Sequence, residues 1–197
     1  MLGDIPMKMI RYVTVVCLPL TLAFSLIACK KEPRVESHHA DNQAKEAERS
    51  REKIQYSLKA DGRLWKLATE DTQEQMKITQ YILENEQPEN ATELFSVTEM
   101  TDIDITPAEY FSQFITQLQR RYANAKVESK VSVQKINSLL GEWWINGNSP
   151  DNTQHEWIRI IKKGNEIAVL RYSTIHTEDL EHARKIWEAI LTEAKFE

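Results

Sequence analysis

"GEWWINGNSPDNTQHEWIRIIKKGNEIAVLRYST", residues 141–174, decides the fold. Together with the two leucines before it, this stretch holds three apolar runs: Leu139–Ile145, Trp157–Ile161 and Ile167–Thr174. Asn146-Gly147-Asn148-Ser149-Pro150 and Lys163-Gly164-Asn165 separate them. Short runs rich in β-branched and aromatic residues, bounded by such clusters, read as strands. A parallel return needs a dozen residues or more, so these links predict antiparallel neighbours. "WIRII" and "IAVLRY" are apolar at both parities, and Trp143-Trp144 sends one indole to each side. Strands that are apolar on both faces must be covered on both faces.

The covering layers lie on either side of this stretch in the sequence. Downstream, Thr177 is expected to cap a helix, with Glu178 and Asp179 in its first turn and a stripe of Ala183, Ile186, Trp187, Ile190, Leu191 and Ala194. Upstream, Val127, Val131 and Val133 suggest one alternating face of a further strand. Before it, Thr106-Pro107-Ala108-Glu109 has the form of a capping box with Pro at the first helical position. Phe111, Phe114, Ile115, Leu118 and Tyr122 then form the apolar stripe of a helix ending near Asn124. Met76–Leu83 and Glu93–Met100 read as strands parted by turn signals at Pro88-Glu89-Asn90. Ile54, Tyr56 and Leu58 alternate before Asp61-Gly62, and Trp65 and Leu67 alternate after it, which predicts a hairpin.

The order is four strands, helix, four strands, helix. It predicts an α+β domain over residues 54–197, an antiparallel sheet of about six to eight strands with a helix packed on each face. That length of chain is enough for one such core. The "NATELFSVTEM" strand, the helix after "TPAEYF", the hairpins quoted above and the closing "ARKIWEAIL" helix resemble the PsbP-like α/β/α sandwich and, among lipoproteins, the DcrB-type periplasmic proteins. The resemblance implies partner binding and assembly assistance. It implies no catalytic residue.

The N-terminal segment is of a different kind. Lys8 and Arg11 precede an apolar run from Val13 to Ala28, which is interrupted by Thr14, Pro19, Thr21 and Ser25. It is short for a membrane span of about 20 residues and has the layout of a secretory signal peptide. Met7 and Met9 are alternative starts, since Met1–Pro6 adds nothing to that layout. Leu26-Ile27-Ala28-Cys29 resembles the lipobox of bacterial lipoproteins. The resemblance implies diacylglycerol on the Cys29 thiol, removal of residues 1–28 and an acylated new N-terminus. Two or more acyl chains anchor a protein stably. Lys30 follows the cysteine where inner-membrane retention would call for Asp, so the resemblance implies the outer membrane, facing the periplasm.

Residues 29–53 then comprise the lipidated Cys and a polar tether. "KKEPRVESHHADNQAKEAERSREK" holds no aromatic residue and almost no aliphatic one, so it cannot offset its ordering entropy by burial. The other cysteine, Cys17, lies in the segment expected to be removed. That excludes thiol catalysis, cysteine-ligated zinc and an internal disulfide in the mature chain.

Catalytic signatures are absent from the sequence. The glycines of residues 54–197 are isolated, so no phosphate cradle is indicated, and neither a Gly-x-Ser-x-Gly elbow nor a His-Glu-x-x-His helix occurs. His38-His39, two adjacent histidines without a third histidine or a cysteine beside them, is a weak metal-binding signal. His155-Glu156 fails as a base and its orienter, because strand neighbours point to opposite faces. Glu178 and His182 have the spacing of a surface ion pair. Asp102 and Asp104 read as a solvated loop before a helix, and Asn90-Ala91-Thr92 as a turn. Either Trp143 or Trp144 is a candidate to line a groove. The formal net charge of −5, without a basic block, does not suggest a nucleic-acid partner. No cofactor, metal or catalytic residue is expected. The expected partners are a membrane, through the lipid anchor, and an envelope protein. The expected function is a non-enzymatic binding or assembly module. The alternative is an envelope hydrolase using Asp or Glu residues distant in sequence.

Overall fold

The computed structural model describes residues 53–145 and 153–197. Cys29, His38 and His39 lie outside them.

Nine strands and two helices are described. A short β1 (Ile54–Gln55) is followed by β2 (Trp65–Gln73), β3 (Met76–Leu83) and β4 (Glu93–Met100). Helix α1 (Pro107–Arg121) leads to β5 (Val127–Lys135), β6 (Ser138–Ile145), β7 (Gln154–Lys163) and β8 (Glu166–Thr174). Helix α2 (Leu180–Glu193) and β9 (Lys195–Phe196) close the chain. Strands β2 to β8 form one seven-stranded sheet in the order β2-β3-β4-β8-β7-β6-β5. All its pairings are antiparallel. The α+β expectation, with one helix on each face, is met.

The two-sided apolar pattern accounts for the layers. On one face Leu139, Trp143, Ile158, Ile160, Ile167 and Val169 pack under Phe111, Ile115 and Leu118 of α1. On the other, Phe95, Leu140, Trp157, Leu170 and Tyr172 pack under Trp187, Ile190 and Leu191 of α2. Helix α1 begins as its sequence predicts. The Thr106 hydroxyl accepts from the Glu109 N–H at 3.2 Å, and the Glu109 carboxylate accepts from the Thr106 N–H at 2.8 Å. Gly141 lets α1 approach: a Cβ there would stand 2.9 Å from the Lys130 carbonyl oxygen and 3.3 Å from Phe111.

Four local expectations are corrected. The Asp61-Gly62 hairpin does not form. Lys59–Asp61 is a 3-10 turn, β1 pairs with β9, and β2 pairs with β3. The left-handed Gly62 only caps the 3-10 turn, and the apolar residues before it are used by the α2-side core. Val127, Val131 and Val133 do not share a face. A bulge after Val131 pairs Val133 with Leu140, which faces α2, while Val131 pairs with Gly141, which faces α1. Helix α1 ends at Arg121, short of Asn124, with Tyr122 as its C-cap. The N-cap of α2 is Asp179 rather than Thr177, its carboxylate accepting from the His182 N–H at 3.3 Å.

The sheet has two unlike ends. Three short turns, after Gln73, Lys135 and Lys163, lie at one end. The first and last described residues lie there as well. The Ile54 N–H donates to the Glu99 carboxylate at 3.3 Å, and the Glu197 N–H donates to the Lys53 carbonyl at 3.1 Å. The other end carries Glu93, Thr174, His155 and Trp144. Glu93 and Glu99 are six residues apart on β4, so the ends are separated by about 20 Å.

Candidate functional site

Cross-strand register builds the site at that second end, on the α2 side. Glu93 pairs with Thr174, Thr174 with His155, and His155 with Trp144, forming one row across β4, β8, β7 and β6. The next row inward is Phe95, Tyr172, Trp157 and Glu142. Helix α2 starts above these rows, and a cleft opens on each side of its first turn.

The larger cleft is about 500 Å³ and is lined by Asp61, Arg63, Glu93, Tyr172, His176 and His182, among others. Arg63 is its central cation. Its guanidinium forks onto Glu93 at 2.6 and 2.7 Å and onto Asp61 at 2.8 and 3.0 Å. Tyr172 donates its hydroxyl to Glu93, and Trp65 donates Nε1–H to Asp61 at 2.8 Å. Burial opposes the charge on Arg63, yet its bonds to Glu93 and Asp61 outweigh that and raise its pKa. Burial pushes the Tyr172 phenol up, and the neighbouring Glu93 charge adds to the rise, so Tyr172 remains a donor. Trp187 stacks on Tyr172 at 3.8 Å and fixes the floor.

The smaller cleft, about 220 Å³, is lined by Trp144, Gln154, His155, Thr177, Leu180 and Arg184. Beside it, the Glu142 carboxylate is bonded to His155 Nε2 at 2.9 Å and accepts from Arg184 at 2.9 Å. Burial alone would raise the Glu142 pKa. The hydrogen bonds and charges of His155 and Arg184 more than reverse this and hold it at about 2. His155 lies between two indoles, parallel to Trp144 at 5.6 Å and tilted against Trp157 at 4.2 Å. Trp144 is itself pinned by an Nε1–H bond to Glu128 at 3.0 Å.

Each buried carboxylate of these rows already accepts from a cation. On the α1 face the same is true of Glu156, which is bonded to Arg171 at 2.6 and 2.8 Å and to Ser173 at 2.6 Å. Among the described residues, no group of three or more His, Cys, Asp or Glu is placed to hold a metal ion. No described helix is long and apolar enough to cross a membrane.

The candidates raised by the sequence fall as follows. His155 and Glu156 point to opposite faces, as strand geometry requires, and each finds another partner. Glu178 precedes α2 and meets His176 at 3.3 Å, rather than pairing with His182 one helical turn on. Asp102 takes a left-handed conformation (φ 58°) and accepts from Asn165 at 2.9 Å, while Asp104 is fully exposed. Asn90 belongs to a 3-10 turn. Of the two adjacent indoles, Trp143 is buried under α1 and Trp144 lines the smaller cleft. Arg63, Glu93, Glu142 and Arg184 were not anticipated. Their only sequence signal is the position of Glu142 as a lone charge in "LLGEWWI".

A protein-family model matches residues 52–190. The chain belongs to that family. A search of curated proteins finds no match. In structure the chain is similar to cyanobacterial PsbP (CyanoP) from Synechocystis sp. PCC 6803, solved in solution, at 9% identity and a TM-score of 0.48. That similarity covers 74% of this chain and 92% of the other.

Proposed function

We propose that this protein is a lipid-anchored component of the bacterial cell envelope, attached through Cys29 at the outer membrane and facing the periplasm. Its domain acts as a non-enzymatic binding module, with the clefts beside the start of α2 as its binding surface. The carrying observation is that Glu93, Glu142 and Asp61, the buried carboxylates around the clefts, are each tied to an arginine. A hydrolase working through two carboxylates needs one free to protonate a leaving group and one free to attack or activate water. Rigid aromatic and guanidinium groups pinned at a cleft rim are instead what binding hot spots use.

The anchor is tested with a Cys29→Ser variant. Loss of the acyl mass and release from the membrane fraction are expected, and an unchanged mass would refute attachment at Cys29. Binding is tested by placing a photo-crosslinking residue at Glu178, on the rim of the larger cleft, or at Asp104, at the opposite end. One recurrent envelope partner should be trapped from Glu178 and not from Asp104. Equal trapping from both positions, or none from Glu178, would count against the clefts.

A further inference from the structure

Among the described residues, the best-exposed large apolar side chain lies at the end of the sheet that holds Lys53. Ile136 is 86% exposed. It occupies the two-residue turn between β5 and β6, where Lys135 pairs with Ser138. Tight turns favour Asn, Asp, Gly or Pro for their backbone preferences, and isoleucine offers none of these. Asp102 is the only described non-glycine residue with positive φ, so the Ile136-Asn137 turn is not of the left-handed type that hairpins prefer. The turn is held in place all the same, since the Lys162 N–H donates to the Asn137 carbonyl at 2.9 Å. Isoleucine here therefore serves neither the core nor the turn.

Its position along the sheet gives it a use. Ser138 pairs with Ile161, and Ile161 with Ala168; Ala168 pairs with Glu99, the residue that holds the Ile54 N–H. The Ile136 turn, the β7–β8 turn, Lys53 and Glu197 thus share one end of the sheet. The clefts occupy the other.

We infer that this end is a membrane-docking surface, with Ile136 as the apolar tip that enters the lipid interface and the clefts turned away from the bilayer. The inference rests on the lipid-anchor reading, because the tether brings this end to the membrane and makes a weak contact effectively intramolecular. Charge does not drive it. Lys53, Lys135, Lys162, Lys163 and Lys195 at this end are offset by Glu99, Asp102, Asp104, Glu166 and Glu197. Lys162 and Lys163 are also engaged with the backbone carbonyls of Ile103, Ile105 and Glu197. The contact is therefore apolar and insensitive to salt.

The test uses the full mature protein with its acyl chains, carrying Ile136→Cys and an environment-sensitive fluorophore on that thiol. It is placed in vesicles of phosphatidylethanolamine and phosphatidylglycerol. The counterpart is Leu64→Cys, 71% exposed and just before β2 at the cleft end. In vesicles the Ile136 label should shift to the blue and lose most of its quenching by iodide. The Leu64 label should stay as in water, and neither result should change with added salt or with phosphatidylglycerol content. Equal water exposure of both labels on protein that remains vesicle-bound would overturn the docking inference and leave the anchor intact. Shielding of Ile136 only when other envelope proteins are added would also overturn it, in favour of a protein contact. A protein that carries no acyl mass, and takes up a second label on Cys29, would refute the anchor instead.

Discussion

Arg171 reaches diagonally across the β7–β8 pair to clasp Glu156, with both contacts at 2.6 to 2.8 Å beneath α1. Glu156 is 0% exposed, and the Phe114 ring lies 4.8 Å from the guanidinium. A pair this deep costs much to desolvate, so its net contribution to stability is small. Removing only one member leaves a charge stranded. Arg171→Leu should therefore destabilise the domain by about 3–5 kcal/mol in urea unfolding. The double replacement Glu156→Met with Arg171→Leu should recover most of that loss. A double variant as unstable as the single one would show that the pair is worth more than its burial costs.

Glu142 makes the domain sensitive to acid in one direction. Its carboxyl is held at about 2 when folded, against an ordinary value of about 4.3. Below that ordinary value the unfolded chain takes up the proton first, so protons favour unfolding. The stabilisation is complete above about pH 5 and is lost as pH falls toward 2, an effect on the order of 2–3 kcal/mol. Glu142→Gln should be less stable than the parent at pH 7 and should flatten the acid limb of the stability curve. A Glu142→Gln curve that runs parallel to the parent's from pH 6 to pH 3 would contradict this account.

Gly141 carries no unusual dihedral, and its need for a hydrogen side chain comes only from crowding. An alanine methyl would press on the Lys130 carbonyl oxygen, a backbone atom that cannot swing aside, and on Phe111. Gly141→Ala should cost about 1–3 kcal/mol by forcing α1 or β5 outward. A second change, Phe111→Leu, relieves only the ring contact and should recover little. Thermal melts of the two variants separate the contributions.

How much of this was legible follows from what each signal depends on. Periodicity within one element revealed the strands, both helices and the need for two covering layers, because burial of one face is a local demand on spacing. The Thr106-Pro107-Ala108-Glu109 cap was readable for the same reason. The clefts were not, since they depend on which strands become neighbours. Glu142 meets His155 only because β6 and β7 pair in the register that sets Trp144 opposite His155. Arg63 meets Glu93 across 30 residues of sequence. The absence of an Asp61-Gly62 hairpin has the same origin. A strong local hairpin signal was overridden when Ile54 found a partner at the far end of the chain, in Phe196.

That β1–β9 pairing leads to the last prediction. It ties Ile54–Gln55 to Lys195–Phe196, and Lys163 holds the Glu197 carbonyl at 2.9 Å. Ile54, Tyr56 and Phe196 add only partly buried surface to the α2-side core. The two-stranded ribbon is thus a shallow clasp on a deep domain, and clasps of that kind open locally without global unfolding. Deleting Lys195–Glu197 should abolish amide-exchange protection at Gln55, leave the Ile54 N–H on the Glu99 carboxylate, and leave β7 and β8 fully protected. Overall stability should fall by only about 1–2 kcal/mol, in keeping with the small apolar area released. The same deletion should expose the Lys53 bond to trypsin while the remainder of the domain resists. If Gln55 keeps its protection, the packing of Tyr56 against Tyr81 and Phe95 holds the segment instead.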